Sequence, residues 1–350
     1  MTKQGLAAVE SAMQGETVSI SSIQSIALTL DKLGLQTGDI LLDAGVPIGA
    51  LNQCYERVSI HSLSKIISHA VSSELGPLFG LKFAENIHAT TYHCYGLMLI
   101  SSPTLRQFCL RLSRYYAWVT TNKSVSFEVQ GDTARLVYHW QGDTADSPKA
   151  RLARLSGWAA TWVRMLRMVS SPGFAPKAVT FSCPAPLGFV EDYQQYFRCP
   201  LQFDSAADAL CFDASMLDAP LAGGNAELAR RSERQVFDHL SKIACLDLET
   251  QVRMALLDLL PAGTYTRSDV ADWLGMEDRR FGAALRQQGL SHHKILLSTR
   301  QELAAELISH SDISINEISY QLGFSDCSNF ARSYRKWFGC CPSERRTIGV

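Results

Sequence analysis

The chain has 350 residues, 46% of them hydrophobic, and a formal net charge of −1. That length and apolar content exclude a disordered polypeptide or one small module and predict two or three globular domains. The near-zero charge gives no global attraction to nucleic acid. No charged-then-apolar leader opens the sequence and no apolar run approaches the roughly 20 residues of a membrane helix, so a cytoplasmic protein without membrane contact is expected.

In chain order, residues 1–19 read as an N-terminal tail. Helical periodicity then dominates 20–120, with Ile26, Leu30 and Leu33 before Gly34, and Leu63, Ile66, Ile67 and Ala70 within 60–75. Residues 124–131 alternate Val125, Phe127 and Val129, Gly131-Asp132 signals a turn, and 134–140 alternate Leu136, Tyr138 and Trp140. This spacing predicts a hairpin. Residues 149–169 predict a helix with Trp158, Trp162, Met165, Leu166 and Val169 on or near one face, and Arg151, Arg154, Arg164 and Arg167 as a basic face. Such a face can bind an anion, but solvation is its default account. A Pro-rich passage at 171–188 breaks that helix and restarts as a short strand. The region 20–218 is therefore mixed α and β.

Pro, Gly and Asn punctuate 218–228, which marks a linker at 219–228 and a second domain over 229–350. Within it, Val270, Trp273 and Leu274 are apolar, Gly275 turns the chain, and Phe281 and Leu285 anchor the next helix. This predicts a first helix-turn-helix over about 266–288, whose outward residues include Arg279, Arg280, Ala283, Arg286 and Gln287. Residues 292–309 lack Gly and Pro and carry Leu296, Leu303 and Leu307, so they predict one continuous helix. About 17 residues at 1.5 Å rise span roughly 26 Å, which brings two recognition helices near one DNA turn, about 34 Å, apart.

A second unit occupies about 314–338. Ile315, Ile318 and Leu322 define one buried face, Gly323 stops the helix, Phe324 plugs the turn, and Ser325 or Asp326 caps the next start. Phe330, Tyr334 and either Trp337 or Phe338 then face inward. Ser328, Arg332 and Arg335 face out, flanked by Asn329, Ala331 and Lys336, and Gly339 and Pro342 end the unit. Arg suits guanine bidentately, Asn suits adenine, and further Lys and Arg hold phosphates. The alternative is an amphipathic surface helix whose charges are merely solvated, and the duplicated layout argues against it. Residues 279–350 hold 10 Lys/Arg against 6 Asp/Glu, a local +4 that the balanced whole chain conceals.

Residues 253–346 resemble the DNA-binding domain of AraC/XylS-type transcriptional regulators. Leu274-Gly275-Met276, Arg279, Phe281 and Leu285, Arg300, Ala304, Leu307 and Ile308, then Leu322-Gly323-Phe324, Phe330, Arg332, Tyr334, Trp337-Phe338-Gly339 and Pro342 carry the likeness. Residues 20–218 are similar to the arabinose-binding type of N-terminal domain in these regulators, through Leu41 to Gly45, Gly80 to Ala84, Tyr95-Gly96-Leu97, Ser101 to Leu105, Pro184-Ala185-Pro186, Tyr196-Phe197 and Phe212. The resemblance implies an α+β sensor domain followed by an all-α domain of two helix-turn-helix motifs joined by a linker helix. It also implies double-stranded promoter DNA, RNA polymerase and a second copy of the chain as partners, an unknown small-molecule effector, and most often activation. The family usually carries a long polar residue where this chain has Gly282 and Ala283. That departure shifts base readout toward the second motif, leaves Ala283 to touch a thymine methyl, and costs up to about 1 kcal/mol of helix stability at Gly282.

Effector candidates are the aromatic residues Tyr92, Tyr95, Tyr116, Trp118 and Trp140, within a wider set that adds His93, Tyr115, His139, Trp158 and Trp162. The competing account is that such stripes build the core. His88, His93 and Cys94 lack third and fourth ligands at zinc spacing, so no metal and no cofactor are expected. Ten cysteines without a Cys-x-x-Cys pair fit reduced thiols. No nucleophile elbow, phosphate-cradling loop or His-Glu-x-x-His is present, which argues against an enzyme. The remaining alternative is a protein-interaction adaptor, or an effector-independent regulator, with a weakened first DNA reader.

Overall fold

Short oxygen-bearing side chains write the helix starts of this chain. Ser19, Ser59, Thr104, Ser147, Asn225, Asp247, Thr266, Ser314 and Asp326 each precede a helix and accept a backbone N–H from its first turn. These bonds satisfy donors that the helix itself leaves open. The computed structural model describes residues 16–73, 76–140, 147–243, 246–263, 265–310 and 313–348. The chain divides into two units between Gly223 and Gly224.

The first unit is α+β. A five-stranded sheet is built from β3 (Lys123–Gln130), β4 (Thr133–Trp140), β5 (Ala178–Thr180), β6 (Leu201–Gln202) and β7 (Asp208–Asp213), in the order β3-β4-β7-β5-β6. All its pairings are antiparallel except β5 with β6. The expected hairpin forms, with Val125 opposite Tyr138 and Gly131 at φ +59° in its turn. Register aligns Leu136, Leu210 and Val179, all fully buried, across the middle of the sheet.

The helix Pro148–Val169 runs from this sheet into a helical layer made by Ile20–Lys32, Thr37–Asp43, Ile60–Val71 and Phe79–Glu85. Ile20, Ile23, Leu30, Ile66 and Phe79 fill the layer's core together with Ala150 and Ala153 of the long helix. Residues 17–19, read from sequence as tail, form strand β1 (Thr17–Ser19), antiparallel to β2 (Arg57–Ser59) with Val18 opposite Val58. Three residues are too short for periodicity to register; the pairing is what defines them. Residues 1–15 of the expected tail lie outside the described residues.

The second unit is all helical. Its helices are Ala226–Lys242, Leu248–Leu259, Arg267–Trp273, Asp278–Gln287, His292–His310, Ile315–Gln321, Cys327–Phe338 and Pro342–Ile348. Two apolar clusters share the helix His292–His310: Ile295 joins Val252, Leu256, Val270, Ala271, Phe281 and Leu285, while Leu303, Ala304, Leu307 and Ile308 join Ile318, Leu322, Phe330 and Tyr334. Trp337, not the exposed Phe338, completes the second cluster. Gly339, at φ +76°, ends Cys327–Phe338 as its C-cap, and beyond that unit Pro342 starts a further helix, since proline at a first helical position lacks only an N–H that would be unbonded there anyway.

The crossing of Phe79–Glu85 over Pro148–Val169 depends on Gly80. A Cβ there would lie 2.2 Å from Ser156 Oγ, 2.3 Å from the Ala153 carbonyl oxygen and 2.6 Å from the Gly157 nitrogen. Ser156 can rotate away, but the backbone atoms cannot. Gly80→Ala is therefore expected to cost about 1–3 kcal/mol in urea unfolding, and an unchanged midpoint would show that the helices separate freely.

Candidate nucleic-acid interface and effector cavity

Thr266 begins the first helix-turn-helix with a capping box: the Asp269 carboxylate accepts from Thr266 N–H at 2.6 Å and from its hydroxyl at 2.9 Å. Gly275, at φ +66°, turns the chain into Asp278–Gln287. Phe281 and Leu285 pack inward, leaving Arg279, Arg280, Ala283, Arg286 and Gln287 exposed. Gly282 is buried, contrary to its reading as a gap on the outward face. Arg267 donates Nε to Asp278 Oδ1 at 2.8 Å, and its Nη1 lies 3.4 Å from where a Gly282 Cβ would sit, with Arg286 Nη1 at 3.6 Å. Two guanidinium groups thus cover Gly282, a relation invisible to helical spacing because Arg267 comes from the preceding helix.

The second motif is held at its turn. Gly323 has φ +69°, and a Cβ on it would lie 3.0 Å from Leu260 Cδ2 and 3.1 Å from the Leu260 carbonyl oxygen. Only glycine meets both the backbone and the space requirement. Arg300 of the linker helix donates Nε to the Leu322 carbonyl at 2.8 Å and Nη2 to that of Gly323 at 2.8 Å. Its guanidinium also stacks 4.6 Å from the centroid of Phe324, which packs on Phe330 and Trp337. A cation here satisfies carbonyls at a helix C-terminus, where the dipole is negative.

Asp326 is the cap of Cys327–Phe338 and accepts Asn329 N–H at 2.8 Å. That bond is the first cause holding the Asp326 carboxyl below its ordinary range. Ser328, Arg332, Arg335 and Lys336 are exposed along one side, while Phe330 and Tyr334 are buried on the other. Asn329 is half-buried, its amide bonded to Asp326 Oδ2 and 3.3 Å from Ser325 Oγ. Arg332 Nη2 donates to Asn329 Oδ1 at 2.5 Å. Asn329, expected as a base reader, is thereby tied at both ends of its amide and orients Arg332.

The first unit contains a cavity of about 100 Å³. Tyr92 and Tyr116, two of the five effector candidates, line it with Tyr138, Trp158 and Trp162. Tyr138 stacks on Trp158 with centroids 4.8 Å apart, and Tyr92 on Trp162 at 6.3 Å. Burial pushes the Tyr92 phenol up to about 12, against a hydrogen bond with Ser22, and raises Tyr138 and Tyr116 as well, so these hydroxyls are neutral at physiological pH. Tyr95 lies elsewhere, fully buried with its hydroxyl donating to the Leu112 carbonyl at 3.1 Å, and Trp118 stacks on it. Trp140 is not on the wall; Lys123 Nζ sits 4.0 Å from its ring centroid and the Arg154 guanidinium 5.7 Å.

Lys123 and Arg154 do line the cavity. Residue spacing does not mark Lys123 and places Arg154 on a basic face whose default account is solvation. That face is largely engaged within the protein: Arg154 is buried and donates to Ser64 Oγ at 2.5 Å, Arg164 to the Ile87 carbonyl at 2.7 Å, and Arg167 to the carbonyls of Phe174 and Tyr196. Trp158 Nε1 and Thr161 Oγ1, also on the wall, have no hydrogen-bond partner among the described residues. Each buried donor left so costs roughly 1–3 kcal/mol. Among the described residues no His/Cys/Asp/Glu cluster is placed to hold a metal, and no helix is long and apolar enough to cross a membrane.

Arg300→Met keeps the aliphatic stem but removes both carbonyl bonds. It is expected to destabilise the full chain by about 2 kcal/mol in urea unfolding, with Arg300→Lys intermediate; a neutral Arg300→Met would mean that water serves those carbonyls equally well.

Residues 34–221 match the family described as the arabinose-binding domain of AraC transcription regulator, N-terminal, and residues 270–348 match a helix-turn-helix domain family. An ornithine utilization regulator of Pseudomonas aeruginosa is 23% identical over 274 residues, covering 77% of this chain and 78% of that protein. The HTH-type transcriptional regulator VirS of Mycobacterium tuberculosis is 27% identical over 191 residues, 54% of this chain; the chain thus spans about half of VirS, 55%. The crystal structure of the transcriptional regulator CdpR from Pseudomonas aeruginosa aligns with 89% of this chain and 96% of its own at 20% identity, with a TM-score of 0.48.

Proposed function

The chain belongs to the AraC transcription regulators, with an arabinose-binding-type N-terminal domain and a C-terminal double helix-turn-helix domain, and from that premise we propose an effector-controlled activator that reads bases chiefly through its second motif. In this reading, two copies of the chain bind double-stranded promoter DNA in the cytoplasm and contact RNA polymerase. Residues 20–218 receive the signal and support dimerisation, 219–228 connect, and 229–350 bind DNA.

The observation that carries the DNA assignment is the exposed row Ser328, Arg332, Arg335 and Lys336 over a buried Phe330 and Tyr334, with Arg332 preset by Asn329. Arg332 reads a base edge, and Ser328, Arg335 and Lys336 hold backbone and flanking positions. Arg279, Arg280, Arg286 and Gln287 of the first motif add phosphate contacts, and Ala283 meets a thymine methyl. The adaptor reading drew on Gly282 and Ala283 as a weakened first reader; Gly282 lies beneath Arg267 and Arg286 and off the outward face, which leaves the exposed Ala283 as its support.

Arg332→Ala is expected to cost about 1–3 kcal/mol on a cognate site and relax base choice, whereas Lys336→Ala weakens all sequences alike and flattens the salt slope by about one. Fragment selection with the purified full-length protein, followed by salt titration of each variant, measures both. Wild-type discrimination by Arg332→Ala would remove the reader from that face.

Effector control rests on the lined cavity. Ala153 is on its wall and 3% exposed. Ala153→Leu should fill the space and fix a target-promoter reporter at one output across growth conditions that move the wild type, with DNA binding retained. A normal response from this variant would place the signal elsewhere.

A further inference from the structure

We propose that the cavity of the N-terminal domain takes a compact apolar carboxylate, no larger than a short branched chain; this deepens the effector reading above and rests on it. The walls decide the body of the ligand. Tyr92, Trp158 and Trp162 with Ile26, Ile67 and Phe79 present mostly apolar surface, which suits a hydrocarbon group and gives the many hydroxyls of a sugar too few partners. The volume decides its size. About 100 Å³ is smaller than the roughly 150 Å³ void that holds benzene.

The polar groups decide the head. Lys123 and Arg154 both line the cavity and are 7% and 8% exposed, and no Asp or Glu stands among the described residues on its wall. Independently of those two cations, Trp158 Nε1 and Thr161 Oγ1 are donors without a partner among the described residues, on side chains 5% and 3% exposed. Arginine, ammonium and indole N–H only donate, and an ionised carboxylate only accepts, through two oxygens able to take several bonds. A ligand whose head only donates would leave the Trp158 indole N–H without an acceptor.

Calorimetric titration of the full-length protein with 3-methylbutanoate and 2-methylpropanoate, each beside its primary amide, tests this. At least one acid should bind one to one and about tenfold or more tighter than its amide. Thr161→Val keeps the shape and removes a hydroxyl that bonds to no described residue, so its melting temperature should hold while acid affinity falls about fivefold. Lys123→Met should abolish the preference for acid over amide. Equal binding of acid and amide, or no binding of either acid, overturns the carboxylate assignment. If Ala153→Leu still fixes the reporter in that case, the cavity remains the effector site and only the ligand class is wrong; if Ala153→Leu responds normally, the effector reading falls as well.

Discussion

The helix Cys327–Phe338 depends on one side chain outside its own motif. Arg300 reaches from the linker helix to the Leu322 and Gly323 carbonyls and lies on Phe324, so the turn that sets the angle between two short helices is fastened to a third, longer one. Ile315–Gln321 has only seven residues, too few to be stable by itself. Its geometry is imposed by this fastening, by the fit of Gly323 against Leu260, and by the shared cluster around Phe330. Burial partly opposes the arrangement, lowering the Arg300 guanidinium from its usual range; the carbonyl bonds and the ring face compensate for lost water.

The N-terminal domain solves a different problem, how to keep charge and hydrogen-bonding groups inside a mostly apolar body. Its long helix does so by turning arginines toward backbone carbonyls and a serine, and Trp140 of β4 lies beside Lys123 of β3 and Arg154 of the helix. The close crossing at Gly80 and Gly157 brings the short helix down onto the long one, at the same place where Gly80, Gly157 and Trp158 form part of the cavity wall. Tight packing and open space therefore meet on the same residues, and altering one disturbs the other.

Much of this was legible in the sequence wherever a period or a stop residue encodes it. Leu322-Gly323-Phe324 announces a turn, the linker helix shows no breaker, and the alternation around Gly131 gives a hairpin. What stayed hidden are relations between distant segments. Spacing puts Arg154 on a basic stripe but says nothing of the layer that covers it, so a buried group read as a solvated one. Gly282 looked like a missing side chain because its cover, Arg267, belongs to another helix. Asn329 has the chemistry of a base reader, yet its neighbours at one turn before and after, Asp326 and Arg332, already engage its amide. Strand β1 is defined by its partner β2, and no three-residue stretch encodes that.

The linker helix has a consequence for the DNA as well as for the protein. His292–His310 is continuous over 19 residues, about 28 Å at 1.5 Å per residue, and belongs to both apolar clusters. The two helix-turn-helix motifs therefore sit on a stiff shaft and not on a tether. When both engage one duplex, any difference between their fixed separation and the helical repeat is taken up by bending or twisting the duplex. Operator positions between the two contacted sites, which no side chain touches, would then be selected for how easily they deform.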